Sequence, residues 1–296
     1  MEKLNKCPVC NSEQIKQAIT CIDYTTSKEE FQIAECVNCS LRFTNPRPDI
    51  MESGRYYQSD DYISHTDSKK GLLNRIYQYA RTYMIATKYS STVKKYKATS
   101  LLDYGCGTGD FLKYCMLKGH QAVGLEIDEN ARKIASDKGC ANVFSPDHLN
   151  NLGDSSASMI TLWHVMEHIH DLHPTIKQFT RILTDDGTIV IAVPNYESYD
   201  ARVYEKYWAA YDVPRHLYHF NRRSMTKLMN DEGFKLIETK TMKLDPFYIS
   251  LLSNKYQNAS MNPLKAVIIG LVGNVKTIFN IKNSSSIIYI FKKQVL

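Results

Sequence analysis

The chain has 296 residues, of which 43% are hydrophobic and 23% charged, with a net charge of +6. That is the composition of a globular protein with room for one large α/β domain and a small appendage. It lacks the dense basic tracts of a dedicated nucleic-acid binder, so a nucleic-acid partner is not the first expectation. There is no internal repeat and no low-complexity segment.

No apolar leader follows Met1, and the most apolar late stretch, "AVIIGLVGNV" at 266–275, is flanked by Lys265 and Lys276 and is too short to span a bilayer. A cytoplasmic location is expected. In a reducing compartment, paired cysteines point to metal ligands rather than disulfides.

Residues 1–45 form the first unit. Cys7 and Cys10 are separated by two residues, as are Cys36 and Cys39, with twenty-five residues between the pairs. Two such knuckles can supply four thiolates to one tetrahedral Zn²⁺, a closed site that is structural rather than catalytic. So small a unit buries little core, and metal binding would provide much of its folding energy. "TNPRPD" closes the unit. Residues 46–99 follow as a tyrosine-rich linker and a leading helix at about 71–95.

From residue 100 to 296, short apolar runs alternate with helical segments, the signature of a parallel sheet built from βα units. Strands are expected at "SLLDY", "QAVGLEI", "NVF", "SMITLW" and "GTIVIAVP", with helices near 108–118, 129–138 and 167–183. A helix near 222–232 leads to a strand at "KLIETKTM", and "SSIIYIFKK" is expected as a final edge strand. The apolar stretch at about 246–280 is an insertion without an assigned role. A peripheral membrane contact stays open there.

"LLDYGCGTGDFL" (101–112) combines a strand, a glycine-rich turn and a helix start. Gly105, Gly107 and Gly109 allow a ligand to approach the backbone closely. Their spacing is GxGxG rather than the dinucleotide GxGxxG. Asp103 would repel a pyrophosphate but suits a ligand carrying an ammonium and a sulfonium. Glu126, twenty-one residues after Gly105 and at the end of the next strand, stands where an acid accepts hydrogen bonds from a ribose diol.

On these residues, with "VGLEID", "LWHVMEHI" and "RILTDDGTIVIAVPN", the chain resembles the class I S-adenosylmethionine-dependent methyltransferases over roughly residues 70–296. The resemblance implies a Rossmann-like seven-stranded α/β sheet with an antiparallel last strand. It places the methionine end of S-adenosylmethionine at Asp103, Gly105, Cys106, Gly107 and Gly109, and the ribose at Glu126 and Ile127. Trp163 and His164 would adjoin the methyl group. For adenine, Asp147 stands in for an acid that many relatives carry where this chain has Ser145. The fourth strand of such proteins often begins with Asp, where this chain has Ser158.

Six of the nine histidines lie in "WHVMEHIHDLH" (163–173) and "YDVPRHLYHF" (211–220). The first segment follows the fourth strand, at the ligand-binding end of such sheets. Methyl transfer from a sulfonium needs no enzyme nucleophile. It needs an aligned acceptor and, for a hydroxyl, a group that removes or weakens its proton. His168 is the first choice as that base, His164 the next. Glu167 would orient or neutralise it, and His216 would complete the site from the other segment. "HVMEH" with "PRHLYHF" resembles the ExxEH…H arrangement of small-RNA 2′-O-methyltransferases, which binds Mg²⁺, and more loosely the ubiquinone-biosynthesis O-methyltransferases. With His164 in place of the first acid, His164, Glu167, His168 and His216 are expected to hold either a second divalent metal of borderline type or none. His170 and His173 are expected as solvated helix residues, and His219 as packing on Phe220.

The reading from sequence is a methyltransferase with an N-terminal zinc ribbon, acting on a hydroxyl of a small-molecule or carbohydrate-type metabolite. The alternatives are an RNA methyltransferase that docks its substrate on the ribbon, and a non-catalytic binding module.

Overall fold

The computed structural model describes residues 1–57 and 72–294, with only the backbone for 72–78. Helix α1 (Leu72–Tyr89) runs into a π-turn at Ser90–Lys94, so the leading helix expected at 71–95 begins at the edge of the described residues. No helix among the described residues is long and apolar enough to cross a membrane.

The central sheet has seven strands in the order β10-β11-β8-β7-β4-β5-β6. β4 (Ser100–Tyr104), β5 (Gln121–Leu125), β6 (Val143–Phe144), β7 (Ala157–Trp163) and β8 (Leu183–Pro194) run parallel. From Gly187 to Pro194, β8 is buried at every residue, because helices cover both faces of a parallel sheet. The last strand, β11 (Ser286–Lys293), is antiparallel to β8, as expected. It is not an edge strand. It is inserted between β8 and β10 (Phe234–Thr241), buried from Ser286 to Phe291. The outer position falls to β10, which carries Lys235, Glu238 and Lys240.

Helices α2 (Asp110–Leu117), α3 (Glu129–Asp137) and α4 (Leu172–Ile182) connect the parallel strands. α4 buries Leu172, Ile176, Phe179 and Ile182, one face of a helical repeat. It begins five residues later than the sequence suggested: Met166–His168 form a separate 3₁₀ turn ahead of it. Ser158 also finds an explanation. Its hydroxyl accepts from the Thr99 and Ser100 amides at 2.9 and 3.0 Å, fastening the entrance of β4 to β7.

The N-terminal strands β1 (Ile15–Ile22), β2 (Glu30–Cys36) and β3 (Arg42–Thr44) form a second, antiparallel sheet. Its fourth strand comes from far downstream: β9 (Tyr218–His219) pairs with β3. Cys7, Cys36, Cys39 and Phe43 share one core with Leu162, Met166, Leu217 and Phe220. The N-terminal unit is therefore built into the body of the protein. Helices α5 (Tyr199–Tyr204), α6 (Arg222–Asp231), α7 (Asp245–Asn258) and α8 (Pro263–Phe279) complete the chain, and the apolar insertion is the pair α7–α8.

Candidate active site

The glycine turn lies at the carboxyl end of β4. Gly105 and Cys106 amides both donate to Leu125 O of β5, at 2.7 and 3.0 Å, which ties the turn to the neighbouring strand. Gly105 has φ +78°, and a Cβ there would overlap Val165 Cγ2. Gly107 has φ +53°, but a Cβ there would meet nothing within 4 Å. The turn thus presents an open cradle at Gly107 and a closed contact at Gly105.

Two carboxylates bound the cradle. Glu126 Oε2 accepts from the Gly107 amide at 2.8 Å, and Oε1 from Asp128 N at 3.0 Å. Asp103 is 1% exposed and accepts from Thr161 Oγ1 at 2.6 Å. Burial pushes its carboxyl up to about 6, against the opposing influence of Thr161 and the Lys88 ammonium. A buried carboxylate held at that value gains from a cationic ligand. Cys106 turns away, since a Cβ at Gly124 would meet its Sγ at 2.6 Å. Ile127 is 81% exposed beside Glu126. Asp147 is exposed too, and shares with Glu126 the neighbourhood of Tyr104, whose phenol is raised first by burial and then by these two acids. The open cradle, the acid beside it and the buried Asp103 fit the chemistry of S-adenosylmethionine.

Trp163 ends β7 with its ring edge-on to Phe111 at 5.4 Å, under the ammonium of Lys88 at 4.4 Å. Its indole N–H is buried without a partner. His164 follows at φ +59° and is flanked by Glu167 Oε1 at 3.6 Å and Asp245 Oδ2 at 3.3 Å. Desolvation alone would lower its pKa, but the two acids raise it to about 9. His164 is therefore a cation near neutral pH, not a base.

Glu167 is completely buried, and neither carboxylate oxygen has a hydrogen-bond partner. Its backbone O accepts from Leu217 N at 2.8 Å, a bond that joins the two histidine segments. The rings of His168 and His216 meet edge to face at 4.7 Å. His168 Nδ1 lies 3.0 Å from both Arg215 O and the Tyr57 hydroxyl, and His216 Nδ1 lies 2.9 Å from Ala210 O. With Nδ1–H donated to the Arg215 carbonyl, His168 keeps its Nε2 lone pair. His216 Nε2 is 4.0 Å from Glu167 Oε1 and 3.9 Å from Asp212 Oδ2. One ligand atom each from Glu167, His168 and His216 falls within 4.8 Å of the others, close enough to hold a metal ion. Burial, then His216, pulls His168 down to about 4. Burial would raise Glu167, but His164, His216 and His168 bring it below the usual range.

Three histidines differ from the sequence reading. His170 precedes α4 and is half-buried, with Nε2 at 3.2 Å from both Pro48 O and Ser53 Oγ. His173 pairs with Glu232 at 2.6 Å instead of facing solvent. His219 is buried with its ring against Tyr211 at 5.3 Å and His216 at 6.5 Å, because β9 carries it into the second sheet.

The N-terminal unit holds the His216 loop from outside. Thr44 Oγ1 donates to His216 O at 2.8 Å. Arg215, 3% exposed, reaches Asp23 Oδ1 at 2.9 Å, Asp212 Oδ1 at 2.6 Å and Tyr56 O at 2.9 Å. Sequence reasoning missed Lys88, Asp212, Arg215 and Asp245. The Asp-x-x-Arg spacing beside His216 was the sole local signal; Lys88 and Asp245 reach the site from remote helices.

The four paired cysteines converge. Cys7 and Cys39 sulfurs lie 3.5 Å apart, as do those of Cys10 and Cys36, and all four fall within 4.8 Å. Tetrahedral Zn–S bonds of about 2.3 Å place sulfurs about 3.8 Å apart, so the donor set fits zinc. The knuckles match each other: Asn11 N donates to Cys7 O and Ser40 N to Cys36 O, both at 2.9 Å, with Asn11 and Ser40 at positive φ.

Comparisons with known proteins agree with the fold. The sequence pattern of a family described as "Methyltransferase domain" matches residues 62–239. The chain belongs to that family, and its fold is that of the S-adenosylmethionine-dependent class I methyltransferases. It is 28% identical over 112 residues to an uncharacterised methyltransferase of Schizosaccharomyces pombe, covering 33% of this chain and 39% of that protein. It is also 28% identical over 145 residues to an uncharacterised protein of Methanocaldococcus jannaschii, covering 45% and 56%. Both matches span well under two thirds of the relative's length. A crystal structure of an S-adenosylmethionine-dependent methyltransferase from Archaeoglobus fulgidus superposes with a TM-score of 0.50 at 21% identity, covering 72% of this chain and 94% of the other.

Proposed function

We propose that this protein transfers the methyl group of S-adenosylmethionine to a hydroxyl of a small-molecule or carbohydrate-type acceptor, bound at Glu167, His168 and His216. The observation that carries the reading is the Glu167 carboxylate, fully buried with neither oxygen hydrogen-bonded, the His164 imidazole 3.6 Å away and those of His168 and His216 beside it. A buried anion without a donor is costly, so the arrangement favours something that brings a proton or a positive charge. An acceptor hydroxyl supplies the first.

The residues also fit a divalent cation. His168, with a pKa near 4, is a weak base at neutral pH but remains unprotonated, which suits a ligand better than a general base. Two imidazoles and one carboxylate are a borderline donor set. A metal there would lower the pKa of the acceptor hydroxyl. The remaining work belongs to the chain itself. Asp103 faces the methionine ammonium, Glu126 the ribose, and Trp163 and His164 line the approach to the sulfonium. In the same reading Cys7, Cys10, Cys36 and Cys39 hold one structural Zn²⁺, and the N-terminal unit keeps the His216 loop in place.

The test is transfer of labelled methyl to cell extract separated into RNA, protein, lipid and small-molecule fractions. Label is expected in the small-molecule fraction. Glu167→Gln and His168→Ala should bind the cofactor normally and lose about 10²–10⁴-fold in rate. Label in RNA, or full rates in both variants, would overturn the assignment.

A further inference from the structure

The helical pair between β10 and β11 presents an apolar face away from the rest of the described chain. α8 buries Ala266, Ile269, Gly270 and Gly273 on its inner side. The glycines allow that close fit. A Cβ at Gly270 would meet the Phe247 ring of α7 at 2.5 Å, and one at Gly273 would touch Tyr199 of α5 at 3.7 Å. On the outer side Leu264, Ile268, Leu271 and Val275 are 72%, 52%, 53% and 55% exposed, and Ile278 and Phe279 are 80% and 85% exposed. Their spacing of three and four residues makes one continuous stripe along the helix.

Charge is arranged to match. Residues 246–285 contain Lys255, Lys265, Lys276 and Lys282 but no aspartate or glutamate. Lys265 and Lys276 follow the stripe along one flank, with their ammonium groups over the rings of Tyr204 and Tyr199 at 5.3 and 4.2 Å. An apolar stripe edged by lysines is the pattern of a helix that lies in a membrane surface. The area separates this from self-association. At 1.5 Å per residue α8 is about 25 Å long, and a stripe about 10 Å wide offers roughly 250 Å², far below the roughly 800 Å² per partner of a stable dimer. A bilayer has no such threshold of shape or area. It accepts apolar side chains at the headgroup boundary while lysines extend to anionic phosphates.

We propose that α8 docks this protein on an anionic lipid surface, with Leu264, Ile268, Leu271, Val275, Ile278 and Phe279 in the headgroup–acyl boundary and Lys265 and Lys276 at the phosphates. The docked helix is one hairpin from the candidate active site, because α7 begins at Asp245, the partner of His164.

The experiment is flotation of the full chain with vesicles of phosphatidylcholine alone and with about one-third phosphatidylglycerol added. The wild type should float with the anionic vesicles, and high salt should weaken this. The double variant Ile278→Ser, Phe279→Ser should partition about tenfold or more weakly. Lys265→Gln with Lys276→Gln should lose the preference for anionic lipid. All should keep the circular dichroism and S-adenosylmethionine affinity of the wild type, since Lys276, Ile278 and Phe279 are exposed, Lys265 is half-buried, and all four lie outside the site. Equal flotation of the wild type and the serine variant would overturn the proposal. So would a wild-type dimer in sedimentation that the serine changes abolish while vesicles recover no protein.

Discussion

Replacing Asp103 by Asn should affect stability and cofactor binding in opposite directions. The carboxyl is 1% exposed and is raised from 3.8 to about 6, chiefly by burial. At 1.36 kcal/mol per unit, holding it ionised costs the cofactor-free fold about 3 kcal/mol. The sign follows from the raised value. The penalty is absent below the unfolded pKa, grows as pH rises, and is complete above about 6. Asn keeps the acceptor for Thr161 Oγ1, which donates to Asp103 at 2.6 Å, and removes the buried charge. The variant should therefore be more stable than the wild type at pH 7.5, by up to about 3 kcal/mol. It should also bind S-adenosylmethionine more weakly, by about 1–3 kcal/mol, because a charge-assisted contact to the ammonium is lost. Wild-type affinity should fall as pH drops through about 6, and the variant's should not. Denaturant melts and calorimetric titrations across that range measure both quantities. A variant that binds S-adenosylmethionine as tightly as the wild type, or that is less stable at pH 7.5, would refute the reasoning.

Two further outcomes test the N-terminal unit. Elemental analysis should find about one zinc per chain, lost in Cys36→Ser together with most of the order of residues 1–45, as judged by protease resistance; a metal-free chain of full resistance would contradict it. Arg215→Met should cost about 3–5 kcal/mol in a denaturant melt, because it leaves the buried Asp23 carboxylate without its cationic partner, and a loss under about 1 kcal/mol would show that the pair does not hold the His216 loop.

Most of the sheet was legible because its signals are local. "GTIVIAVP" and "SMITLW" are too apolar for any place but a covered strand, and GxGxG can turn a strand into a helix without a Cβ clash at Gly105. The paired cysteines declared themselves by spacing. The position of β11 was not legible. Its apolar run fits an edge or an interior position equally, and the choice depends on its long-range pairing with β8. β9 is two residues long, too short for any periodicity, so its pairing with β3 had no trace in the sequence. That pairing carries much of the consequence, since it places a sheet begun at Ile15 against the loop of His216.

The histidine cluster shows the limit most clearly. "WHVMEHIHDLH" marks where chemistry belongs and its position favours His168 and His164, but only the fold shows what each imidazole faces. His164 lies between Glu167 and Asp245 and becomes a cation. His168, four residues on, turns Nδ1 to the Arg215 carbonyl and stays neutral. His170 and His173 are taken by Ser53 and Glu232. Asp245 is eighty-one residues from His164, and no spacing rule connects them. Protonation follows from these partners, and in a cluster whose acids and bases lie within a few ångströms, protonation decides role. A general base was the natural expectation from residue type. The His168 and His216 rings beside a buried carboxylate that has no hydrogen-bond donor instead favour a site that receives a proton donor or a cation, because the His164 imidazolium, 3.6 Å from Glu167 Oε1 and shared with Asp245, leaves both carboxylate oxygens without a hydrogen bond.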